Sequence, residues 1–242
     1  MPYRRLPNTD QARMRAIEAA LEKGKRVASK ELAFHQISLE KLQSIYPRLS
    51  SAIRQLNAAK QSQFDKSREY GEIFKKAKLY LTHFVQVMSF AIIREELKPE
   101  IRAFYGLDVH SQRLPNINLE KDVLDWGERI IAGEQRRCQQ GGSPIYSPSI
   151  ALVKVHFESF IEAYRHQKML QNMTNRASEQ MELVRDEADQ LIQQVWNEVE
   201  DKFDFLDEDE KRERAAAYGV TYVYRPSELK KIEADKLQPN LF

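Results

Sequence analysis

The sequence has little glycine, little proline and almost no cysteine. Its 242 residues include eight glycines, nine prolines and one cysteine. So few breaking residues disfavour a many-turned β architecture and favour long helices. The single thiol, Cys138, excludes an internal disulfide and a cysteine-rich zinc site. Because the opening residues also lack an apolar leader, we expect a reduced, cytoplasmic protein.

Long apolar runs and a strong excess of one charge are missing as well. The most apolar uncharged run, Leu79 to Ile93, has fifteen residues, whereas a membrane-spanning helix needs about 20 apolar ones. The formal net charge of +2 gives no overall bias toward nucleic acid or an anionic membrane. We therefore expect a globular protein without membrane association.

Signatures of catalysis and of cofactor binding are also absent. Gly141-Gly142-Ser143 lacks the frame of a phosphate loop, and neither GxSxG nor GxGxxG is present. Cys138 follows Arg136 and Arg137, which can lower a thiol pKa, but no histidine is near it in sequence. The sequence thus predicts no catalytic residues, no cofactor-binding residues and no cofactor.

The nearest approach to a metal site lies on one helical face. Glu158, Glu162 and His166 are spaced four residues apart, so they share one side of a helix. One helix supplies too few ligands for a metal, and a solvated face is the preferred interpretation. His83 and His156 lie within or beside apolar stripes, which favours core or boundary histidines over ligands. We therefore predict no metal-binding residues.

What the chain does contain is an internal duplication. Arg5-Leu6-Pro7-Asn8 recurs as Arg113-Leu114-Pro115-Asn116, and Tyr105-Gly106-Leu107 recurs as Tyr218-Gly219-Val220. Self-similarity at a fixed spacing indicates repeated structural units. The duplication predicts two repeats, residues 1–110 and 111–220, followed by an extended tail at 221–242.

Apolar residues spaced three and four apart predict that each repeat is a short helix followed by a long antiparallel helical hairpin. The predicted fold class is therefore all-α, an elongated helical bundle of two tandem three-helix repeats. Pro47 lies inside one stripe, so its helix either begins near Pro47 or kinks there. Leu79 to Ile93 is apolar on more than one face and is expected to be the most buried segment. The predicted helices are 9–23, 38–66 and 68–104, then 119–139, 148–175 and 178–212.

Charge is unevenly distributed along the chain. Residues 1–30 carry eight basic and three acidic residues, a net charge of +5, and residues 186–213 carry three basic and twelve acidic residues, a net charge of −9. Attraction between these segments within the bundle, or ordinary solvated helix faces, is the preferred interpretation. The alternative is a basic N-terminal surface that binds an anionic partner.

Three segments resemble a bacterial family of uncharacterised all-helical proteins: MPYRRLPNTD at the start, LTHFVQVMSFAIIREELKPEIRAFYGL at 81–107 and YGVTYVYR at 218–225. The resemblance extends over nearly the whole chain. It implies an all-helical fold and carries no activity with it.

Long amphipathic helices without an acid, base, nucleophile or metal set favour a non-enzymatic structural or protein-interaction bundle. We expect a protein partner or self-association. One alternative is a bundle that binds a small ligand or a metal between its halves, with or without enzymatic activity. The other is nucleic-acid binding through the basic N-terminal region, although no known reader motif accompanies it.

Overall fold

A computed structural model describes residues 2–226 and residue 228. The described chain is helical, which confirms the predicted all-α class. None of the described helices combines the length and the hydropathy that crossing a bilayer requires. In chain order the elements are β1 (Tyr3–Arg4), α1 (Asp10–Arg26), α2 (Gln36–Ile93), a 3₁₀ segment (Pro99–Tyr105), α3 (Glu120–Gln139), α4 (Ile150–Lys202), α5 (Glu208–Ala216) and β2 (Tyr222–Val223).

The predicted helical hairpins are wrong, because one long helix replaces the two arms of each. α2 runs through the first predicted turn and α4 runs through the second. The predicted breaks at 66–68 and 175–178 contain neither proline nor glycine, so nothing in the backbone stops either helix. α2 begins at Gln36, which places Pro47 inside the helix rather than at its start.

The end of α2 is set by a left-handed residue. Glu95 has a φ of 61°, and the N–H groups of Glu96 and Leu97 both donate to the carbonyl of Ala91. A left-handed residue followed by such a backward hydrogen bond closes a helix. Pro99 then opens the 3₁₀ segment at a position that proline favours.

The duplicated Tyr-Gly dipeptides end their helical segments in the same way. Gly106 and Gly219 have φ values of 70° and 91°. The N–H of the next residue donates to a carbonyl five residues back, from Leu107 to Arg102 and from Val220 to Ala215. Glycine adopts this left-handed conformation without steric cost, and the hydrogen bond is that of a Schellman motif. Both copies of the dipeptide therefore end a helical segment.

The chain packs as two compact units. Unit 1 takes its described residues from 1–58 and 175–242, and unit 2 is Ala59–Thr174. Each unit has an apolar core of its own, with Ile17, Leu49 and Trp196 in unit 1 and Phe84, Tyr105 and Phe160 in unit 2.

These units cut across the predicted repeats 1–110 and 111–220. Unit 1 combines the first Arg-Leu-Pro-Asn segment with the second Tyr-Gly dipeptide, and unit 2 combines the second segment with the first dipeptide. Each unit therefore needs residues from both repeats. The duplication itself stays a prediction.

The beginning of the predicted tail lies on unit 1. β1 and β2 pair in antiparallel fashion, with Tyr3 opposite Val223 and Arg4 opposite Tyr222. The N–H of Arg5 extends this pairing by donating to the carbonyl of Thr221 at 2.9 Å. The part of the predicted tail beyond residue 228 lies outside the described residues.

Oppositely charged segments of unit 1 pair with each other, as the preferred interpretation of the charge distribution expects. Arg13 donates from Nε and Nη2 to the two carboxylate oxygens of Asp189, both at 2.7 Å. Arg4 donates to Glu200 at 2.7 Å. The basic residues of 1–30 are thereby partly neutralised within the fold.

Candidate functional site

An apolar groove lies at the C-terminal end of α2, in unit 2. It encloses about 440 Å³, and we call it the α2-end groove. Phe90 and Ile93 of α2 and Leu114 of the second Arg-Leu-Pro-Asn segment line it. These side chains are 56%, 57% and 41% exposed. Three large apolar side chains around one groove form a patch, whereas a single exposed one would be ordinary.

This exposure contradicts the expectation that Leu79 to Ile93 is the most buried segment. Phe84 and Met88 are fully buried, but Leu79, Phe90 and Ile93 are mostly exposed. The uncharged run covers more than one face of the helix, and the core of unit 2 covers only one of them. Periodicity identified the buried face correctly but did not reveal that the other apolar positions remain open.

Buried Arg102 fixes one wall of the groove. Its Nε donates to the carbonyl of Asp108 at 2.8 Å, its Nη2 to the carbonyl of Arg113 at 3.0 Å, and its Nη1 to Ser89 Oγ at 3.2 Å. All of these acceptors are neutral oxygens. Within the described residues, Arg102 makes no hydrogen bond to a carboxylate, although Glu95 also lines the groove.

A second buried cluster in unit 2 is built around Glu134, whose side chain is fully buried. Arg137 donates to its two carboxylate oxygens at 2.7 and 2.8 Å. The hydroxyl of Tyr105 donates at 2.5 Å and the N–H of Ile145 at 3.1 Å. The cluster thereby ties the Tyr-Gly dipeptide and the loop before α4 to α3.

The protonation of this cluster suits an anchor rather than catalysis. Burial alone would raise the pKa of Glu134, but hydrogen bonds from Arg137, Tyr105 and Ile145 and the Arg137 charge outweigh burial and lower it. Burial and then the contact with Glu134 raise the pKa of Tyr105. The carboxylate is therefore ionised and fully partnered at neutral pH.

Sequence reasoning missed the Glu134 cluster. The only signal in the sequence was Tyr105, which the duplication singled out. The recurrent Tyr218 makes no hydrogen bond to a carboxylate within the described residues, and its ring packs against Phe34 and Phe203 instead. The i, i+3 spacing of Glu134 and Arg137 is common on solvated helices. Only the packing of α3 in unit 2 distinguishes this pair from a surface one.

Glu158, Glu162 and His166 lie along two clefts of unit 2. Glu162 and His166 line one of them, and Glu158 and Glu162 line the other. Glu158 also pairs with Lys154 at 3.7 Å. Throughout residues 2–226 and 228, no group of three or more His, Cys, Asp or Glu side chains could hold a metal ion.

Of the two histidines beside apolar stripes, His156 packs against an aromatic ring, whereas His83 is exposed and is not the expected core or boundary histidine. His156 stacks on Tyr80, with ring centroids 4.0 Å apart. Cys138 is a half-buried free thiol. Burial and then the negative charge of Glu134 raise its pKa, and Arg137 only partly offsets them. A raised pKa is the opposite of what a nucleophilic thiol needs.

Comparison with known protein families, with curated proteins and with solved structures finds no match to this chain. The resemblance to a bacterial family of all-helical proteins therefore stays a prediction. The function has to be argued from the grooves and their residues.

Proposed function

We propose that the protein is a non-enzymatic interaction bundle that binds a protein partner in the α2-end groove. The exposure of Phe90, Ile93 and Leu114 around that groove carries this proposal. Each large apolar side chain that becomes fully buried contributes about 1.5–3 kcal/mol. A partner therefore gains most by covering this patch.

The lining of the groove also specifies the chemistry of the partner. Apolar side chains surround buried Arg102, whose hydrogen-bond acceptors within the described chain are all neutral. An occupant with apolar side chains and one carboxylate matches both features. The carboxylate would mainly confer specificity, since charge complementarity across an interface selects partners more than it adds affinity.

Site-specific photo-crosslinking in the native host tests this proposal. A photo-reactive residue replaces Gln86, which lines the groove, in an otherwise wild-type chain. The matched control carries the same residue at Gln55, an exposed position of α2 in unit 1. We expect a discrete protein adduct from position 86 and none from position 55.

Two further observations decide the outcome. Phe90→Glu should abolish the adduct, because it places a charge in the apolar patch without touching the core. Excess unlabelled wild-type protein should compete the adduct away. Adducts of equal yield from both positions, or an adduct that persists with Phe90→Glu, would contradict the proposal.

A second candidate function, small-ligand binding, is favoured by one observation in the cleft of Glu162 and His166. Gln167 also lines this cleft, and its Oε1 is buried without a described hydrogen-bond partner. An unmet buried acceptor costs about 1–3 kcal/mol, which a donor from a ligand or an ordered water would recover. Gln167→Leu should stabilise the protein if neither is present and destabilise it if one is, as thermal unfolding would report.

A further inference from the structure

Unit 1 contains a second groove, beside α1 and the first Arg-Leu-Pro-Asn segment, which we call the α1 groove. It encloses about 520 Å³, within the range of about 300–1,000 Å³ typical of small-ligand sites. Ala12, Ala16 and Ala19 line it from α1, and Gly219 lines it opposite. A Cβ added to Gly219 would lie 3.0 Å from the Ala16 carbonyl oxygen, so glycine permits the close approach of these two segments.

Two guanidinium groups at this groove have no partner among the described residues. Arg5 and Arg15 both line it, and within the described chain neither side chain makes a hydrogen bond or an ion pair. Their sequence neighbours behave differently, since Arg4 is paired with Glu200 and Arg13 with Asp189. The fold thus neutralises some of the N-terminal arginines and leaves this pair available.

The described lining of the groove also carries no negative charge. Of the residues that the structure describes, no carboxylate lines it, whereas Glu162 lines the cleft of His166 and Glu95 lines the α2-end groove. Guanidinium groups bind carboxylates and phosphates through paired, charge-assisted hydrogen bonds. The charge of the α1 groove therefore selects an oxyanion.

The rest of the lining is mixed. Asn8, Thr9 and Thr221 contribute polar groups, and Leu6, Pro7, Trp196, Val220 and Val223 contribute an apolar surface. An inorganic ion would leave this apolar surface uncovered, while a ligand with an aliphatic or aromatic body would bury it.

The site belongs to unit 1 alone. Counted from the duplicated motif, Arg113 corresponds to Arg5, and Val123 corresponds to Arg15. Val123 is fully buried in the core of unit 2. The pair of guanidinium groups is therefore not a by-product of the duplication.

We propose that the α1 groove binds a small amphipathic organic anion. Arg5 and Arg15 hold its carboxylate or phosphate, and its apolar body lies along Ala12, Ala16 and Trp196. This site is independent of the α2-end groove, and neither proposal depends on the other.

Calorimetric titration of the full chain tests the site with octanoate and octyl phosphate, and with octanol and inorganic phosphate as controls. We expect saturable one-to-one binding of at least one of the two amphipathic anions and none of octanol. Binding of octanoate alone identifies a carboxylate site, and binding of octyl phosphate alone identifies a phosphate site. Either result supports the proposal.

Three variants assign that binding to the groove. The double substitution Arg5→Gln/Arg15→Gln should weaken it at least about tenfold, since the charge-assisted bonds are lost. The matched control Lys25→Gln/Lys30→Gln removes the same charge from exposed positions outside the groove and should leave affinity within about twofold. Ala12→Leu should fill the groove and weaken binding while both arginines remain. Circular dichroism should show all three variants folded.

Four results would overturn the proposal. One is the absence of saturable binding of both anions at millimolar concentration. Another is inorganic phosphate binding as tightly as octyl phosphate, which would indicate an adventitious ion only. Equal weakening by the lysine variant would indicate bulk charge. Retention on single-stranded DNA that depends on Arg5 and Arg15, with neither anion bound, would assign the groove to nucleic acid instead.

Discussion

Units 1 and 2 differ in where they place their charges. In unit 1, ion pairs join segments that are far apart in sequence: Arg4 with Glu200, Arg13 with Asp189, Arg48 with Glu187, and Arg185 with Asp10. Within the described chain, unit 2 has one such pair, Lys168 with Glu120. Its best-shielded ion pair, Glu134 with Arg137, is buried instead.

The apolar surface is distributed in the opposite way. Of the 17 large apolar side chains that are exposed among the described residues, 11 belong to unit 2. Two units that share the same pair of duplicated motifs thus present different chemistry at their surfaces. Unit 1 offers charge and unit 2 offers apolar contact, which is why we assign a small anion to the first and a protein partner to the second.

The comparison between the units requires that each unit is built from residues of both predicted repeats. We expect the separate fragments 1–110 and 111–242 to lack cooperative unfolding, because the cores of both units take residues from both fragments. Mixing the fragments should restore helicity and a single complex. Circular dichroism and analytical ultracentrifugation would measure this, and fragments that fold alone and do not bind each other would disprove it.

Within unit 2, the buried and the exposed faces of α2 should respond very differently to truncation. Phe84 is fully buried and Phe90 mostly exposed. Phe84→Ala should therefore lower the free energy of unfolding by about 3–5 kcal/mol, and Phe90→Ala by less than about 1 kcal/mol. Urea denaturation measures both, and similar losses would mean that the core face of α2 is misplaced.

A buried and a half-exposed ion pair should also differ in how much each contributes to the free energy of unfolding. Glu134→Gln leaves the buried Arg137 without a counter-charge and should cost about 3 kcal/mol, at the low end for a broken buried pair because glutamine keeps some hydrogen bonds. Its control is Glu187→Gln, which breaks the half-exposed pair with Arg48 and should cost less than about 1 kcal/mol. Equal costs in urea denaturation would remove the contrast between the units.

The smallest expected effect is the dependence of stability on pH. The pKa of Glu134 is lower in the folded protein than its ordinary value, so the unfolded chain binds this proton more readily. Its contribution is present above the unfolded pKa, about 4.3, and is lost as pH falls through the folded value. The wild type should therefore lose more stability than Glu134→Gln between pH 6 and pH 3. Parallel curves would show that Glu134 is not the linked group.

Local sequence patterns were enough to predict the helical class. The recurrent Tyr-Gly dipeptide also drew attention to Gly106 and Gly219, which end helical segments because glycine adopts the left-handed conformation without steric cost. The hairpins were predicted wrongly because polar residues such as Thr174 and Asn175 interrupt the stripe of apolar residues, but the helical backbone of α4 continues through them. The exposure of Phe90 depends on which elements pack around α2, and periodicity does not contain that information.

The residues of the candidate sites were harder to predict from the sequence than the helices were. Glu134 meets Tyr105 and Ile145 only after α3 has packed in unit 2. Arg4 and Arg5 look alike in the sequence, but the fold pairs Arg4 with Glu200, whereas the Arg5 side chain has no partner among the described residues. The composition showed that the N-terminal segment is basic. Only the structure distinguishes the arginines that have an ion-pair partner among the described residues from those that have none.

The pairing of β1 with β2 has a consequence for chain connectivity. In unit 2, residues 107–112 join the Tyr-Gly dipeptide to the Arg-Leu-Pro-Asn segment through a continuous backbone. In unit 1 the same two motifs are brought together by hydrogen bonds, from Arg5 to Thr221 and between β1 and β2. A short linker from β2 to β1 would make that connection covalent, and the chain could then be opened between 107 and 112. Such a circular permutant would exchange the roles of the two units while keeping every described helix.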